Sequence, residues 1–305
     1  MKLRIGTRGS PLARWQANWV AQRLDRTIGV EVEIVQIATQ GDVRGESIQG
    51  LSGQGVFTKE IQLALLDGRV DLAVHSLKDL PTESVPGLRL VAVPPRESTA
   101  DVLISRQGIL FRDLPQGARI GTSSARRRAQ LLHARPDLVP ADIRGNVDTR
   151  IRKLRDGQFD AIVLAEAGLR RLGLADAITE ILPTSLMLPA VGQGALGIEA
   201  RQDDTAAAEA CEKLDDPATH QAVLAERALL SALRGGCLAP VAALARQVSG
   251  DELELSAAVL SVDGRQRLFA AAQGGLFRPV DLGRGVAAEL LTQGAASLIE
   301  QSRGF

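Results

Sequence analysis

Apolar residues along this chain recur in two alternating patterns. Leu3 to Thr7 is a short apolar run that fits a buried strand. Behind it, Leu12, Trp15, Trp19, Ala21 and Leu24 lie among the apolar positions of a helix predicted to about Arg26. Ser10-Pro11 gives that helix an N-cap followed by proline at its first position. Val30 to Ile37 alternates as a strand, Val56 to Leu66 is amphipathic at helical spacing and stops near Gly68, and Val70 to Val74 is a short apolar strand. Leu88 to Val93 is another strand, and Pro94-Pro95-Arg96-Glu97 reads as a hinge.

Beyond the hinge the alternation resumes. Asp101 to Ser105 and Ala118 to Ile120 read as strands, Ser123 or Ser124 caps a helix, and Ile143 to Arg150 is a second strand-to-helix turn. Phe159 to Leu164 reads as a strand and Glu166 to Leu172 as a short helix. The glycine-broken stretch Leu188 to Ala195 precedes a strand, Leu196 to Ala200, that returns the chain to its first unit. Asp203 to Leu214 and Pro217 to Leu233 are helical. Strands near Val241 to Val248, Leu253 to Val262 and Gln266 to Ala272, with turns at Ser249-Gly250-Asp251 and Asp263-Gly264, form an antiparallel meander, and one helix closes the chain from about Val280 to Gln301. The pattern predicts an α/β protein of three domains: residues 1–95 with 195–213, residues 96–194, and a smaller α/β domain with an antiparallel sheet over 214–305.

Composition narrows the class. The chain has 305 residues, 45% hydrophobic and 24% charged, with 36 basic and 36 acidic residues and no net charge. That balance argues against a nucleic-acid-coating or membrane-surface protein, as does an aromatic content of 3% without tyrosine. Of the 36 basic residues only Lys2, Lys59, Lys78, Lys153 and Lys213 are lysine, and the rest are arginine. Arginine forks clamp carboxylates bidentately, although a GC-rich genome also inflates arginine. The two cysteines give no disulfide framework, and with His75, His133 and His220 they show no metal-ligand spacing. The start reads as a strand and not as a signal peptide, so a cytoplasmic protein is expected.

Candidate chemistry falls on the turns. Arg8 lies in a strand-to-helix turn beside free backbone N–H groups, a place for an anion or for a solvated cation. The span Gly41 to Gly55 is glycine-rich and reads as a mobile lid. His75-Ser76-Leu77-Lys78-Asp79-Leu80-Pro81 stands at the carboxyl end of a strand, where open α/β sheets place ligands. Asp79 there reads as an acid beside a base, as a salt bridge with Lys78, or as a helix cap, and His75 as a structural residue. In Gly121-Thr122-Ser123-Ser124-Ala125-Arg126-Arg127-Arg128, three arginines occupy a helix's first turn, against its dipole, and an anion would offset that. Arg144 and Arg150 flank the next turn. In Leu233-Arg234-Gly235-Gly236-Cys237-Leu238-Ala239-Pro240 the glycines end a helix and place Cys237 on a tight loop, either as a packed thiol or as a reactive one.

Taken together, Thr7–Ala13, His75–Pro81, Gly121–Arg127, Arg144–Val147, Ala190–Gly194 and Gly235–Cys237 strongly resemble, in order and over nearly the whole chain, the porphobilinogen deaminase (hydroxymethylbilane synthase) family. The resemblance implies two periplasmic-binding-protein-like (type II) α/β domains, with the chain crossing between them twice, and a third α/β domain carrying the cysteine. It implies a dipyrromethane cofactor joined by a thioether to Cys237. Four porphobilinogen units are added head to tail to that cofactor with loss of ammonia, and a linear tetrapyrrole, hydroxymethylbilane, is then released, in haem biosynthesis. By the same resemblance Asp79 is the catalytic carboxylate, stabilising a cationic azafulvene-like species and moving the pyrrole N–H proton. Arg8, Ser10, Lys78, Thr122, Ser123, Ser124, Arg126, Arg127, Arg144, Gly145, Asn146, Arg150 and Gln193 bind cofactor or substrate. The family also implies a monomer, a product passed to uroporphyrinogen-III synthase, and no metal, nucleic acid or membrane.

Three positions depart from the family pattern. Gln54 stands where a lid lysine is frequent, Gln40 where a basic residue precedes Gly41-Asp42, and Leu238 is less polar than expected. Arg44 is the available substitute cation. Two rival classes remain. A periplasmic-type binding protein needs an export signal. A cysteine-nucleophile hydrolase needs a histidine for Cys237, and His220 is nearest in sequence.

Overall fold

The computed structural model describes residues 2–38, 58–236 and 239–303. The lid reading over Gly41–Gly55, its departures at Gln40 and Gln54, and the readings of Cys237 and Leu238 all lie outside these residues. In chain order the elements are β1 (Lys2–Thr7), α1 (Pro11–Ile28), β2 (Glu31–Gln36), α2 (Lys59–Leu66), β3 (Leu72–Ser76), β4 (Leu88–Ala92), β5 (Asp101–Ser105), β6 (Arg119–Gly121), α3 (Ala125–Ala134), β7 (Val139–Ala141), α4 (Val147–Arg155), β8 (Ala161–Ala165), α5 (Glu166–Arg171) and β9 (Glu180–Ile181). They continue with β10 (Leu196–Arg201), α6 (Thr205–Glu212), α7 (Pro217–Ala232), β11 (Val241–Ser249), β12 (Glu252–Leu260), β13 (Arg267–Gly275), α8 (Pro279–Thr292) and α9 (Ala295–Ser302). Two compact units emerge, Met1–Glu97 with Gly194–His220, and Ser98–Gln193 with Gln221–Phe305.

The first unit holds a five-stranded sheet in the order β2-β1-β3-β10-β4. β1 runs parallel to β2 and β3, while β10 runs antiparallel to β3 and β4. α1 and α6 cover one face through Val20, Leu24, Ala207 and Cys211, and α2 covers the other through Ile61 and Leu65. A strand buried on both faces has no use for alternation, which is why Leu72, Ala73 and Val74 are all apolar. The second unit repeats the architecture in the order β7-β6-β8-β5-β9, with β5 antiparallel to its neighbours β8 and β9. In both sheets the antiparallel interior strand is the first one after the chain enters from the other unit.

A three-stranded antiparallel meander, β11-β12-β13, belongs to the second unit. One face packs on α7, α8 and α9 through Leu229, Leu253, Leu255, Val286, Leu290 and Leu298. The other meets α3 through Ala129, Ala242, Ala258 and Leu260.

Local signals account for most boundaries. Ser10 Oγ accepts from Ala13 N at 3.3 Å, and α1 ends on Gly29 at φ 64°, two residues later than predicted. The strand predicted over Phe159 to Leu164 starts only at Ala161, and α2 starts at Lys59 among the described residues. Two expectations are corrected. The closing helix is two helices, because Gly294 takes φ 104° and breaks the ladder after Thr292. The end of α7 does not rest on glycine alone. Arg234, at φ 50°, takes the first left-handed position, and Gly236 the second. Gly235 sits in a tight spot, where a Cβ would lie 3.1 Å from both Leu230 Cδ1 and Val241 Cγ2 and would press on both side chains.

Candidate active site

In the first unit the site begins where β3 ends. Leu77–Asp79 forms a single 3₁₀ turn, held by Leu77 N donating to Ala195 O at 3.0 Å and Leu80 N donating to Leu77 O at 3.2 Å. Lys78 is half-buried and Asp79 exposed, and among the described residues the Asp79 carboxylate forms no hydrogen bond or ion pair. Both structural alternatives for Asp79, a salt bridge to Lys78 and a helix cap, are therefore unrealised. His75 is structural, as expected: it is buried with Nε2 3.0 Å from Glu199 Oε2. The two are close without being aligned as a hydrogen bond. The distance decides the contact, because the ring proton's place depends on the tautomer. Arg8 is half-buried in the turn between β1 and α1, beside the Ser10 cap.

The second unit contributes two adjoining turns. Ser124 caps α3 by accepting from Arg127 N at 3.4 Å, and buried Thr122 accepts from Ser124 N through Oγ1 at 3.3 Å. Ser123, the other candidate cap, ties the two turns together. Its Oγ donates to Ile143 O at 2.6 Å and accepts from Ile143 N at 3.2 Å. Asn146 caps α4 by accepting from Thr149 N at 3.0 Å. Gly145, at φ 109°, admits no side chain, because a Cβ would lie 2.6 Å from Thr149 Cγ2. Arg150 is half-buried and donates through Nε to Gly145 O at 2.8 Å, while Arg144 is exposed with Nη2 4.0 Å from Asp142.

Arg126 and Arg127 are buried and engaged by a residue that opens strand β5. Asp101, at zero exposure, accepts from Arg126 Nη1 at 2.7 Å, from Arg127 Nε at 2.9 Å and Nη2 at 2.7 Å, and from Gln193 Nε2 at 3.1 Å. Arg126 also donates to Leu188 O, and Arg127 to Val163 O. The anion that the three-arginine turn demands is thus supplied partly from within. Burial on its own would raise the Asp101 pKa, but the two guanidiniums outweigh it and bring the value down to about 2. Burial also lowers the pKa of Arg126, against the pull of Asp101. One donor remains: Arg126 Nε is buried and has no acceptor among the described residues. The signal for Asp101 was visible, a lone carboxylate heading the apolar run Val102-Leu103-Ile104.

The described cysteine, Cys211, is inert. It is buried, and burial, with a contribution from Asp204, pushes its thiol up to about 12. His220, the histidine nearest Cys237 in sequence, donates or accepts through Nδ1 at 2.8 Å from Asp215.

Residues 3–209 match the family model "Porphobilinogen deaminase, dipyromethane cofactor binding domain", and residues 220–292 match "Porphobilinogen deaminase, C-terminal domain". The chain belongs to the porphobilinogen deaminase family. A porphobilinogen deaminase of Geobacter sulfurreducens is 50% identical over 302 residues, covering 98% of this chain and 94% of the relative. One from Acidithiobacillus ferrooxidans is 50% identical over 303 residues, 99% and 98% of the two chains, and one from Moorella thermoacetica is 46% identical over 303 residues, 99% and 96%. A periplasmic substrate-binding protein from Coxiella burnetii superposes with a TM-score of 0.45 at 16% identity, over 72% of this chain and 94% of that one, a likeness too slight to bear on fold or function. The family's cofactor carries acid side chains, and the buried Arg126 Nε, without an acceptor among the described residues, is a donor of the kind such a group would satisfy. The residues present fit it.

Proposed function

We propose that this chain is a hydroxymethylbilane synthase, a transferase that condenses four porphobilinogen units, with loss of ammonia, for tetrapyrrole biosynthesis. Family membership over nearly the full length supports the activity. One structural observation supports the chemistry: an exposed carboxylate, Asp79, without a partner among the described residues, on a tight turn at the end of a buried strand and next to Lys78. A carboxylate so placed is free to accept a proton at one oxygen and return it, and to stabilise positive charge developing beside it. Lys78 supplies a cation for an acid side chain on the substrate.

The dipyrromethane, when bound, supplies the pyrrole carbon onto which the first unit is joined, and we assign Cys237 as its anchor. Arg126, Ser124 and Thr122 on one turn and Arg144, Gly145, Asn146 and Arg150 on the next are the residues that would hold acid side chains in the second unit. Arg8 and Ser10 would do so in the first. Arg127, Ser123 and Gln193 would steady these groups through Asp101 and Ile143. Guanidinium forks suit carboxylates, which gives the arginine excess a use. We also infer three domains, at 1–95 with 195–213, 96–194 and 214–305, a cytoplasmic monomer, and a product passed to uroporphyrinogen-III synthase. Among the described residues no helix is long and apolar enough to cross a membrane, and no group of three or more His, Cys, Asp or Glu could hold a metal ion.

Intact-mass measurement of the purified protein tests the assignment. Two pyrrole units on the wild-type chain, and none on Cys237→Ala, are expected. An unmodified wild-type protein with full turnover would remove the anchor and the reading with it. Asp79→Ala is expected to keep the added mass while turnover falls by at least about 100-fold.

A further inference from the structure

The strand that delivers Asp79 is gripped by polar side chains on both faces of its sheet. On the α1 face, buried Gln16 donates through Nε2 to Ser76 Oγ at 2.8 Å. On the α2 face three buried polar residues meet inside an otherwise apolar layer. Gln62 of α2 donates through Nε2 to Glu199 at 3.1 Å and 3.3 Å, one contact to each carboxylate oxygen, and Glu199 Oε2 lies 3.0 Å from His75 Nε2. Pairing of β3 with β10 explains the meeting. His75 is opposite Gly197 and Ala73 is opposite Glu199, so all four share one face. Gly197, opposite His75, makes room for Leu77, because a Cβ there would lie 2.6 Å from Leu77 Cδ1. A buried carboxylate is costly unless its oxygens are occupied, and here they meet α2 through Gln62 and β3, which leads into the turn, through His75. Apolar residues would fill this layer more cheaply.

We propose that Glu199 is a positioning residue for the Lys78–Asp79 turn, acting through His75 and braced by Gln62. The inference rests on Asp79 being the catalytic carboxylate. Glu199 fixes the last residues of β3, and the turn that follows is continuous with them, anchored by bonds that include Leu77 N to Ala195 O and Leu80 N to Leu77 O. A misplaced general acid–base group loses rate in the chemical step and leaves substrate binding largely intact.

The test uses the cofactor-loaded full chain. Glu199→Gln keeps the volume and loses the charge. Its kcat is expected to fall about tenfold with KM within about twofold of wild type, and His75→Gln is expected to match it. The double variant is expected to be no worse than either single one, because the residues act as a unit. Amide exchange supplies a readout independent of turnover: residues 76–80 should exchange faster in Glu199→Gln, with residues 241–249 unchanged. A kcat within about twofold of wild type, or a KM effect alone, overturns the proposal. Should Glu199→Gln not fold, Gln62→Leu takes its place, with an expected loss of about threefold in kcat and the same criteria. Asp79→Asn is measured alongside. If it retains turnover, the reading of Asp79 falls and takes this proposal with it. If it is inactive while Glu199→Gln is normal, only the positioning role falls.

Discussion

Asp101 has no exposed surface and four hydrogen bonds from side chains of three residues, so the charge it carries is fixed by the fold. Its folded pKa lies at about 2, below the ordinary 3.8, so it contributes stability that is present above the unfolded value and is lost as pH falls from about 4 towards 2. The size of that contribution is about 2 kcal/mol, and urea unfolding at a series of acid pH values measures it. Asp101→Asn leaves Arg126 and Arg127 buried without their carboxylate and is expected to cost about 3–5 kcal/mol at neutral pH. The requirement for an anion beside Ala125-Arg126-Arg127-Arg128 was legible in the sequence from helix electrostatics. Its source was not, because Asp101 stands on a strand that precedes the helix by two loops and another strand. Cys211 gives a second prediction at this scale. With its thiol held up to about 12 inside the α1–α6 layer, it should resist iodoacetamide in the folded chain at neutral pH and react once the chain is denatured, as peptide mass mapping would reveal.

Elements were legible wherever burial has one period and a cap closes it. α1 and α7 and the three strands of the meander follow their apolar patterns to within a few residues. The closing helix was misread for a physical reason. Leu290, Ala295, Leu298 and Ile299 all pack into the same core, so the apolar pattern runs across the break and only Gly294 marks it. The end of α7 shows the opposite case, in which the expected glycine sits one residue too late. Arg234 N donates to Ser231 O at 3.0 Å and Gly235 N to Leu230 O at 3.4 Å, the paired bonds that finish a helix with a left-handed residue. Arginine is strained there by about 1 kcal/mol relative to glycine. Arg234→Gly is therefore expected to raise stability by up to about 1 kcal/mol in a denaturant titration. A lower midpoint would mean that the side chain makes up for its backbone.

At the scale of the whole molecule the sequence yielded three sheets but not which of them pack together. The meander joins the second unit through contacts that no local pattern encodes, because the turn between β12 and β13 docks on α3, more than 120 residues earlier. Gly264 O lies 2.8 Å from His133 Nδ1, and a Cβ on Gly264 would stand 2.6 Å from both Ala129 O and His133 N. The other turn of the meander supplies an internal control. Gly250 is also left-handed, at φ 43°, but a Cβ there meets nothing within 4 Å. Alanine at Gly250 should cost only the backbone strain, about 1 kcal/mol, whereas alanine at Gly264 adds a collision with backbone atoms worth about 1–3 kcal/mol more. The readout that separates docking from strain is amide exchange in α3. Gly264→Ala should speed exchange over 125–134 as well as in the meander, since the helix must shift to admit the methyl group, and Gly250→Ala should leave those amides protected. Equal behaviour of the two variants would mean that the meander folds without leaning on α3, and that the helix carrying Arg126 and Arg127 is held by the β7-β6-β8-β5-β9 sheet alone.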